Sequence, residues 1–237
     1  MTRPPTLSVV IPALNEAEAL PRLLAQLGPA RSRGAEVVVV DGGSTDGTVV
    51  AAEAAGVRVV ASAPGRARQL QAGADASAGE ALWLLHADSS IDPYADQHLL
   101  WALANSGRPW GRFSVRLSGR HPLLRVVERA MNVRSRLTGI ATGDQGIFLL
   151  RSALDAIGGI PQQVLMEDVE LSRRLKRLAP PLCLWKRVTT SSRRWEAHGV
   201  LRTILLMWRL RLAYFLGTDP ETLAARWRRS EPPRSAA

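Results

Sequence analysis

Cysteine is nearly absent from this chain, which has 237 residues and a single thiol, at Cys183. One thiol cannot form an internal disulfide and cannot supply a cysteine-rich zinc site, so neither can stabilise the fold. We expect no secretory signal either, because the apolar stretch near the N-terminus, 7–11, is short and is followed by Pro12. The sequence therefore predicts a cytoplasmic protein.

Lysine and single-ring aromatic residues are also scarce. The chain has two Tyr and three Phe, although its seven Trp partly compensate, and it contains no recognisable nucleic-acid-binding module. We therefore expect no nucleic-acid partner. The net charge of +10 comes almost entirely from arginine, which favours forked contacts to phosphate, although GC-rich coding also enriches arginine.

Long uncharged apolar runs are missing as well. The segment 200–216 is the nearest candidate, but it contains Arg202, Arg209 and Arg211, so no stretch of about 18 uncharged residues is available to span a bilayer. Apolar residues occupy nearly every side of its helical wheel. The segment could be a core helix, a homodimer helix or a helix lying at a membrane surface.

The sequence does contain regular alternation. Apolar β-branched runs alternate with helical periodicity, which predicts an α/β fold: a doubly wound, mostly parallel sheet with helices on both faces. The predicted strands cover 7–11, 36–40, 57–60, 81–86, 112–117 and 146–150. The predicted helices cover 16–27, 46–55, 66–78, 93–105, 121–137 and 167–178.

The chain is long enough for one large domain with an extension. We assign this domain to 1–198 and a C-terminal helical extension, packed on it or at an interface, to 199–230. The tail 231–237 is rich in Pro, Ser and Ala and is predicted to be disordered.

Two carboxylates follow predicted strands, at Asp41 and Asp88. The carboxyl ends of parallel strands meet at one edge of the sheet, where ligands gather. Asp88 is either a ligand for a hard cation or a simple turn cap. Glycines after Asp41 allow a ligand to approach the backbone, whereas Asp46 or Ser44 is explained more simply as a helix N-cap.

The turn after the first strand and the start of the helix at Arg66 are predicted to lie at the same edge of the sheet. The turn after the first strand, 12–16, carries neither the glycine pattern of dinucleotide folds nor a phosphate loop, so both are excluded. Arg66 begins a predicted helix, where it could pair with a diphosphate or remain a solvated surface charge.

Four segments taken in order resemble the signature of family-2 glycosyltransferases. They are Val-Val-Ile-Pro-Ala-Leu-Asn-Glu (9–16), Asp-Gly-Gly-Ser-Thr-Asp-Gly-Thr (41–48), Gly-Arg-Ala-Arg-Gln-Leu-Gln-Ala-Gly (65–73) and His-Ala-Asp (86–88). The resemblance implies the GT-A nucleotide-sugar fold and a nucleoside-diphosphate sugar, UDP-linked, as donor. It further implies an enzyme that uses a divalent cation, Mn²⁺ or Mg²⁺.

The same resemblance assigns roles to individual residues. Nucleotide contacts fall to Pro12, Ala13, Glu16 and Asp41, a diphosphate contact falls to Arg66, and the metal ligand is Asp88. This chain departs from the pattern at His86, where an Asp usually stands. A neutral imidazole could hydrogen-bond the ribose or bind a transition metal, or it could simply be satisfied at a strand end.

Adjacent carboxylates, Glu167 and Asp168, begin the helix predicted at 167–178. Alone they would only favour a helix N-terminus. With the upstream segments they resemble the family's Glu-Asp motif, which implies that Asp168 is the general base of an inverting transfer and that Glu167 orients the site.

Two more segments belong to this resemblance. The polar turn containing Gly143, Asp144 and Gln145 would line the acceptor pocket. The pair Arg194 and Trp195 resembles the end of a Gln-x-x-Arg-Trp motif, and would close over the diphosphate, although Trp195 could be ordinary core packing. The glutamine of that motif is replaced by serine, which argues against a polymerising enzyme.

The spacing from about 7 to 227 looks most like a small bacterial subgroup labelled arsenosugar-biosynthesis, or radical-SAM/selenodomain-associated, glycosyltransferases. That resemblance implies transfer of a hexose to a small or lipid-linked acceptor. Two other functions stay open: a sugar nucleotidyltransferase, which normally has a glycine-rich, lysine-bearing loop after its first strand, and a non-catalytic basic module that binds membranes or nucleic acid.

Overall fold

The computed structural model describes residues 6–229. The side chains outside this description are those of Arg194, Ala197, His198, Arg228 and Arg229. The predicted tail 231–237 also lies outside the described residues.

Within the described chain, strands and helices alternate from the first strand onward. The strands are β1 (Leu7–Ala13), β2 (Glu36–Asp41), β3 (Arg58–Ala61), β4 (Ala81–Leu84), β5 (Trp110–Leu117), β6 (Phe148–Leu150) and β7 (Leu182–Thr190). The helices are α1 (Leu20–Gln26), α2 (Gly28–Ser32), α3 (Thr48–Ala54), α4 (Arg66–Ala76), α5 (Ala95–Ser106), α6 (Pro122–Thr138), α7 (Arg151–Ala156), α8 (Glu167–Leu178), α9 (Arg193–His198), α10 (Val200–Phe215) and α11 (Pro220–Arg229).

All described strands belong to one mixed sheet, in the order β3-β2-β1-β4-β6-β5-β7. The first four strands are parallel, as the βαβ alternation predicts. The strand β6 runs antiparallel to β4 and β5, and β5 is parallel to β7. The predicted mostly parallel sheet with helices on both faces is confirmed.

The apolar side chains of β1 and β2 alternate between two cores, one on each face of the sheet. Val9 and Val39 pack with α1 and α5 on one face, whereas Val10 and Val40 pack with α4 and α8 on the other. A strand buried on both faces must be apolar at every position, which explains the run of valines in β2.

Helix α4 lies unusually close to the sheet because Gly73 faces it. A Cβ at this position would come within 2.8 Å of Val40 Cγ2 and still closer to Val10. The close contact places the first residue of α4, Arg66, beside the carboxyl ends of β1 and β2.

Several predicted boundaries are wrong. Helix α1 begins at Leu20 rather than at Glu16. Residues 17–19 form a turn instead, and the amides of Glu16 and Ala17 donate to Thr48 Oγ1 at 2.8 Å and to Asp46 Oδ2 at 3.2 Å. Strand β4 ends at Leu84, so His86 lies in the following turn. The sequence analysis also missed β7, an edge strand whose central residues Trp185, Lys186 and Arg187 are exposed.

The C-terminal helices α10 and α11 pack against the start of α8 and the segment that follows α6. Leu210 and Leu223 share a core cluster with Ile140, Met166 and Val169. One face of α10 is therefore buried, but Leu205 and other apolar side chains on its opposite face are exposed. None of the helices within residues 6–229 has the length and apolar character needed to cross a membrane.

Candidate functional site

The turns after β1 and β2 are tied together by side-chain hydrogen bonds. Asn15 adopts a left-handed conformation with φ 55°, and its Oδ1 accepts the Thr45 amide at 2.8 Å. Ser44 Oγ accepts the Asn15 amide at 2.9 Å, and Asp46 accepts the amides of Ala17 and Thr48. These bonds hold both turns at one edge of the sheet.

Two residues assigned to nucleotide contact have their side chains in the protein rather than in the cleft. Asp41 is buried, and its carboxylate accepts the amides of Gly43 and Ser44 at 3.0 and 3.1 Å. Ala13 is buried in the core, and its carbonyl oxygen accepts a hydrogen bond from the side-chain Nε2 of Gln69 at 2.8 Å. Neither side chain lines the cleft at this edge of the sheet, so the nucleotide contacts of these two residues stay a prediction.

An open cleft with an empty volume of about 1000 Å³ lies at this edge of the sheet. The sequence-predicted residues that line it are Pro12, Glu16, Arg66, His86, Asp88, Asp144 and Trp195.

Glu16 meets two charged neighbours in this cleft. Its pKa is raised by burial and then by the charge of Asp88, while Arg193 acts in the opposite direction. Arg193 Nη2 lies 3.5 Å from Glu16 Oε2. The sequence analysis missed Arg193 because the motif comparison selected the following pair, Arg194 and Trp195. The side chain of Arg194 lies outside the described residues.

Arg66 lies between the cleft and the start of α8. Its Nη1 lies 3.6 Å from Oε1 of Glu167, which is buried at the start of α8. Desolvation acts to lower the pKa of Arg66, but the carboxylates of Glu167, Asp144, Asp168 and Asp88 together raise it. The pKa of Glu167 is itself raised, by burial first and by the charge of Asp168 second.

The backbone fixes Asp168 in place. Met166, just before α8, has a left-handed φ of 65°, which is uncommon for a residue with a long side chain and marks local strain. The Asp168 carboxylate accepts the Gly143 amide at 2.8 Å through Oδ2 and the Val169 amide at 2.7 Å through Oδ1. These two bonds orient the carboxylate, which stays half-buried.

His86 and Asp144 line both this cleft and a second cavity on the α8 side of Arg66. His86 Nδ1 lies 3.4 Å from Asp144 Oδ1. Burial acts to raise the pKa of Asp144, but the His86 hydrogen bond and the positive charges nearby lower it to about 2. Gly143 allows this contact, because a Cβ there would lie 2.8 Å from His86 Cε1 and closer still to Nε2.

Gln145, predicted on the acceptor side, lies within the protein interior. It is fully buried, its Nε2 donates to Ser135 Oγ at 3.0 Å, and its Oε1 accepts the Thr142 amide. Of the two polar side chains in this turn, Asp144 therefore lies at the cleft surface, and Gln145 stabilises the turn from inside through its hydrogen bonds.

A second cavity, with an empty volume of about 1150 Å³, lies on the α8 side of Arg66. Glu167 and Asp168 line it, together with Met207 and Arg211 from α10. Sequence reasoning missed Arg211. Its signal was an arginine that is partly buried in a mostly apolar helix, where a charge is costly unless it is used.

Among the described residues, no group of three or more His, Cys, Asp or Glu side chains is arranged to hold a metal ion. Asp88 offers one half-buried carboxylate in the first cleft. A single carboxylate fits a cation that takes its remaining ligands from substrate oxygens and water, which is a common arrangement for Mg²⁺.

Solved structures with a similar fold include the glucosyl-3-phosphoglycerate synthase of Mycobacterium tuberculosis. One structure aligns with a TM-score of 0.59 at 21% identity, covering 78% of this chain and 71% of that one. The same enzyme in complex with Mn²⁺ and UDP-glucose aligns with a TM-score of 0.60 at 22% identity, covering 78% and 70%.

A further complex of that enzyme, with Mn²⁺, UDP and phosphoglyceric acid, aligns with a TM-score of 0.59 at 23% identity, covering 78% and 69%. At these identities the likeness shows the fold, and the fold is GT-A. Comparison with curated protein sequences finds no matching relative.

The family is shown by the sequence itself. Residues 8–155, more than half of the chain, match the profile described as glycosyl transferase family 2. The matched range contains both strand-end turns, Arg66, Asp88 and the Gly143 turn. The chain therefore belongs to glycosyl transferase family 2.

Proposed function

We propose that this protein transfers a hexose from a UDP-linked sugar to an acceptor hydroxyl, with inversion, and that Asp168 is the general base. Membership of family 2 supports the reaction class. The similar synthase has been solved with UDP-glucose and Mn²⁺, which supports a UDP-linked donor and a divalent cation.

One observation carries the proposal: the two cavities meet. Arg66, His86 and Asp144 line both of them. A donor in the cleft of Glu16 and Asp88 would therefore present its sugar to the cavity of Asp168. The acceptor would enter from that second side.

Asp168 is suited to remove a proton. Two backbone amides hold its carboxylate, so the charged form is oriented before substrate binds. As the acceptor oxygen bonds to the anomeric carbon, the bond from that carbon to the diphosphate breaks. The hydroxyl proton passes to Asp168, and the electron pair leaves with the nucleoside diphosphate.

The departing diphosphate needs positive charge. Arg66, the first residue of α4, supplies this charge. Its ion pair with Glu167 holds the guanidinium in position. Asp88 would hold the divalent cation, which, when bound, neutralises part of the diphosphate charge. Trp195 and Arg194 are proposed to close over this group.

A panel of nucleoside-diphosphate sugars, each with Mn²⁺ or Mg²⁺, tests the proposal. We expect release of UDP from one of the UDP-sugars. We expect Asp168→Asn and Asp88→Ala to lower kcat/KM by about 10² or more, a typical loss for an acid–base group. The matched control is Asp155→Ala, an exposed acid on α7 away from both cavities.

Near-normal transfer by Asp168→Asn would disprove the base assignment. An absence of turnover and hydrolysis across the whole panel would disprove the glycosyltransferase proposal itself.

The finer expectations belong to this proposal as well. The arsenosugar subgroup rests on motif resemblance, and cytoplasmic location rests on composition. The proposed acceptor is small or lipid-linked, and the segment 200–216 is proposed as a site of peripheral membrane contact or homodimer formation. The lipid-linked acceptor, the membrane contact and the homodimer would all involve the exposed apolar face of α10.

A further inference from the structure

A long apolar groove lies between α6 and α10, outside the two cavities of the proposed reaction. Its empty volume is about 1820 Å³, larger than either cavity. Val126 on α6 and Leu205, Trp208 and Leu212 on α10 line it, and each is more than 60% exposed. Such a contiguous exposed apolar surface marks a binding site more often than it occurs by chance.

The groove opens into the reaction site. Met207, Arg211 and Asp144 line both the groove and the Asp168 cavity. Trp195 lines both the groove and the cleft of Asp88. A molecule lying in the groove can therefore reach the place where the acceptor hydroxyl must stand.

Two arginines at the inner end of the groove have unused hydrogen-bond donors. Nε and Nη2 of Arg134 and Nε of Arg211 are buried, and no hydrogen-bond partner for them exists among the described residues. Leaving buried charged donors unpaired is costly, so such atoms call for an explanation. A guanidinium fork matches the oxygens of a phosphate or carboxylate.

The chemistry of the groove is thus divided: cationic at the inner end and apolar outside. A second copy of this chain is a poor match, because exposed Arg129, Arg202 and Arg209 on the same two helices would bring like charges together. An anionic amphiphile satisfies both parts at once.

We propose that this groove binds the apolar tail of a lipid acceptor, whose anionic headgroup contacts Arg134 and Arg211 and whose hydroxyl reaches Asp168. The proposal rests on the proposed function and names its acceptor class. The transferred sugar moves to the lipid hydroxyl, the proton to Asp168, and the electron pair leaves with UDP.

Three acceptors separate the parts of this proposal, each given to the full chain with the active UDP-sugar. Lysophosphatidylglycerol has the anionic head, hydroxyls and tail; glycerol 3-phosphate has an anionic head and hydroxyls without the tail; monoacylglycerol has the tail and hydroxyls without charge. We expect kcat/KM for lysophosphatidylglycerol to exceed both others by about 100-fold, because each part adds binding. Equal activity with glycerol 3-phosphate, or with monoacylglycerol, would overturn the proposal.

A matched pair of variants tests the groove. Leu205→Gln combined with Leu212→Gln changes two exposed residues inside it, so folding should tolerate both. We expect KM for lysophosphatidylglycerol to rise about tenfold with kcat nearly unchanged, and KM for glycerol 3-phosphate to stay the same. Leu201→Gln, an equally exposed leucine on α10 that does not line the groove, should change neither value.

Calorimetric binding of monomeric lysophosphatidylglycerol supplies a readout that needs no turnover. Lipid binding that the double variant weakens, without hydrolysis of any UDP-sugar, would support the groove and disprove the glycosyltransferase function. UDP-sugar turnover with no lipid binding would overturn the lipid proposal alone. A concentration-dependent dimer abolished by the double variant would show that a second copy occupies the groove.

Discussion

At the scale of single residues, the site is built from carboxylates whose environments differ. Burial of Glu167, beside the charged Asp168, raises its pKa, whereas the surroundings of Asp144 lower its pKa to about 2. Asp168 is held by backbone amides rather than by a cation. The helix that begins with two adjacent acids therefore gives them separate tasks, one to hold Arg66 and one to face the acceptor.

The raised pKa of Glu167 predicts a pH dependence of stability. The folded state keeps a proton on Glu167 over a pH range in which the unfolded chain has lost it, so stability falls as pH rises from about 4.5 through the raised value. Glu167→Gln removes this loss. We expect the free energy of unfolding of the variant, relative to the native chain, to be more favourable at about pH 8 than at about pH 4.

Urea unfolding at the two pH values measures this difference. Groups that do not interact with Glu167 titrate alike in both proteins and cancel. The control is Glu53→Gln, an exposed acid on α3, whose difference should not change with pH. A Glu167→Gln difference that is constant with pH would contradict the burial argument.

How far the sequence predicted this site also depends on the residue. Glu16 and Asp88 lie in the turns that follow β1 and β4, and Arg66 and Asp168 lie in the first turns of helices. Pattern and position agree there, and these residues line the two cavities. Gln145 shares the polar composition of its turn but is buried, because the 3₁₀ turn needs an internal hydrogen-bond partner. Composition alone cannot say which side of a turn a side chain occupies.

At the scale of elements, the short turn Gly143–Gln145 connects the two halves of the site. It supplies the amide that holds Asp168 and leaves space for the His86 ring. It also carries Asp144, which contacts that ring. A glycine at its first position is what lets the turn approach the loop after β4 so closely.

Gly143→Ala tests this closeness. The added methyl group would overlap the His86 ring, so either the ring or the turn must move. We expect a loss of about 1–3 kcal/mol in the free energy of unfolding, typical of overpacking, and a fall in transfer activity because Asp168 loses its fixed position.

Gly28→Ala is the matched control, since a Cβ at Gly28 meets nothing within 4 Å and its backbone suits any residue. That variant should keep full activity and be equally or slightly more stable. Denaturant unfolding and UDP-release assays on both variants decide the matter. Native stability and activity in Gly143→Ala would mean that the turn has more room than the structure indicates.

At the scale of the whole molecule, the sequence predicted the first half better than the second. Strands β1, β2 and β4 are buried, and the edge strand β3 is partly exposed. Their apolar runs alternate with helical periodicity, and this alternation predicted their parallel direction. The second half depends on long-range pairing: β6 lies between β4 and β5, and β7 is an edge strand with polar positions. Local periodicity carries little information about such pairing.

The site itself spans both halves, so binding a donor should stabilise the entire fold. A ligand that binds only the folded state at about 100 times its Kd adds about 2.7 kcal/mol, or roughly 5–10 °C in Tm for a chain of this size. We expect UDP with Mn²⁺ to give such a shift, UDP alone to give a smaller one, and Mn²⁺ alone to give almost none. The last expectation follows because the described residues offer no cluster that could hold the cation without substrate.

Thermal unfolding of Asp88→Ala separates the two contributions. The shift caused by UDP alone should persist, since Glu16 and Arg66 still line the cleft, but the increment added by Mn²⁺ should disappear. Asp155→Ala should keep both. A full Mn²⁺ shift without UDP, or a Mn²⁺ increment that survives in Asp88→Ala, would place the cation on other ligands and remove Asp88 from the proposed mechanism.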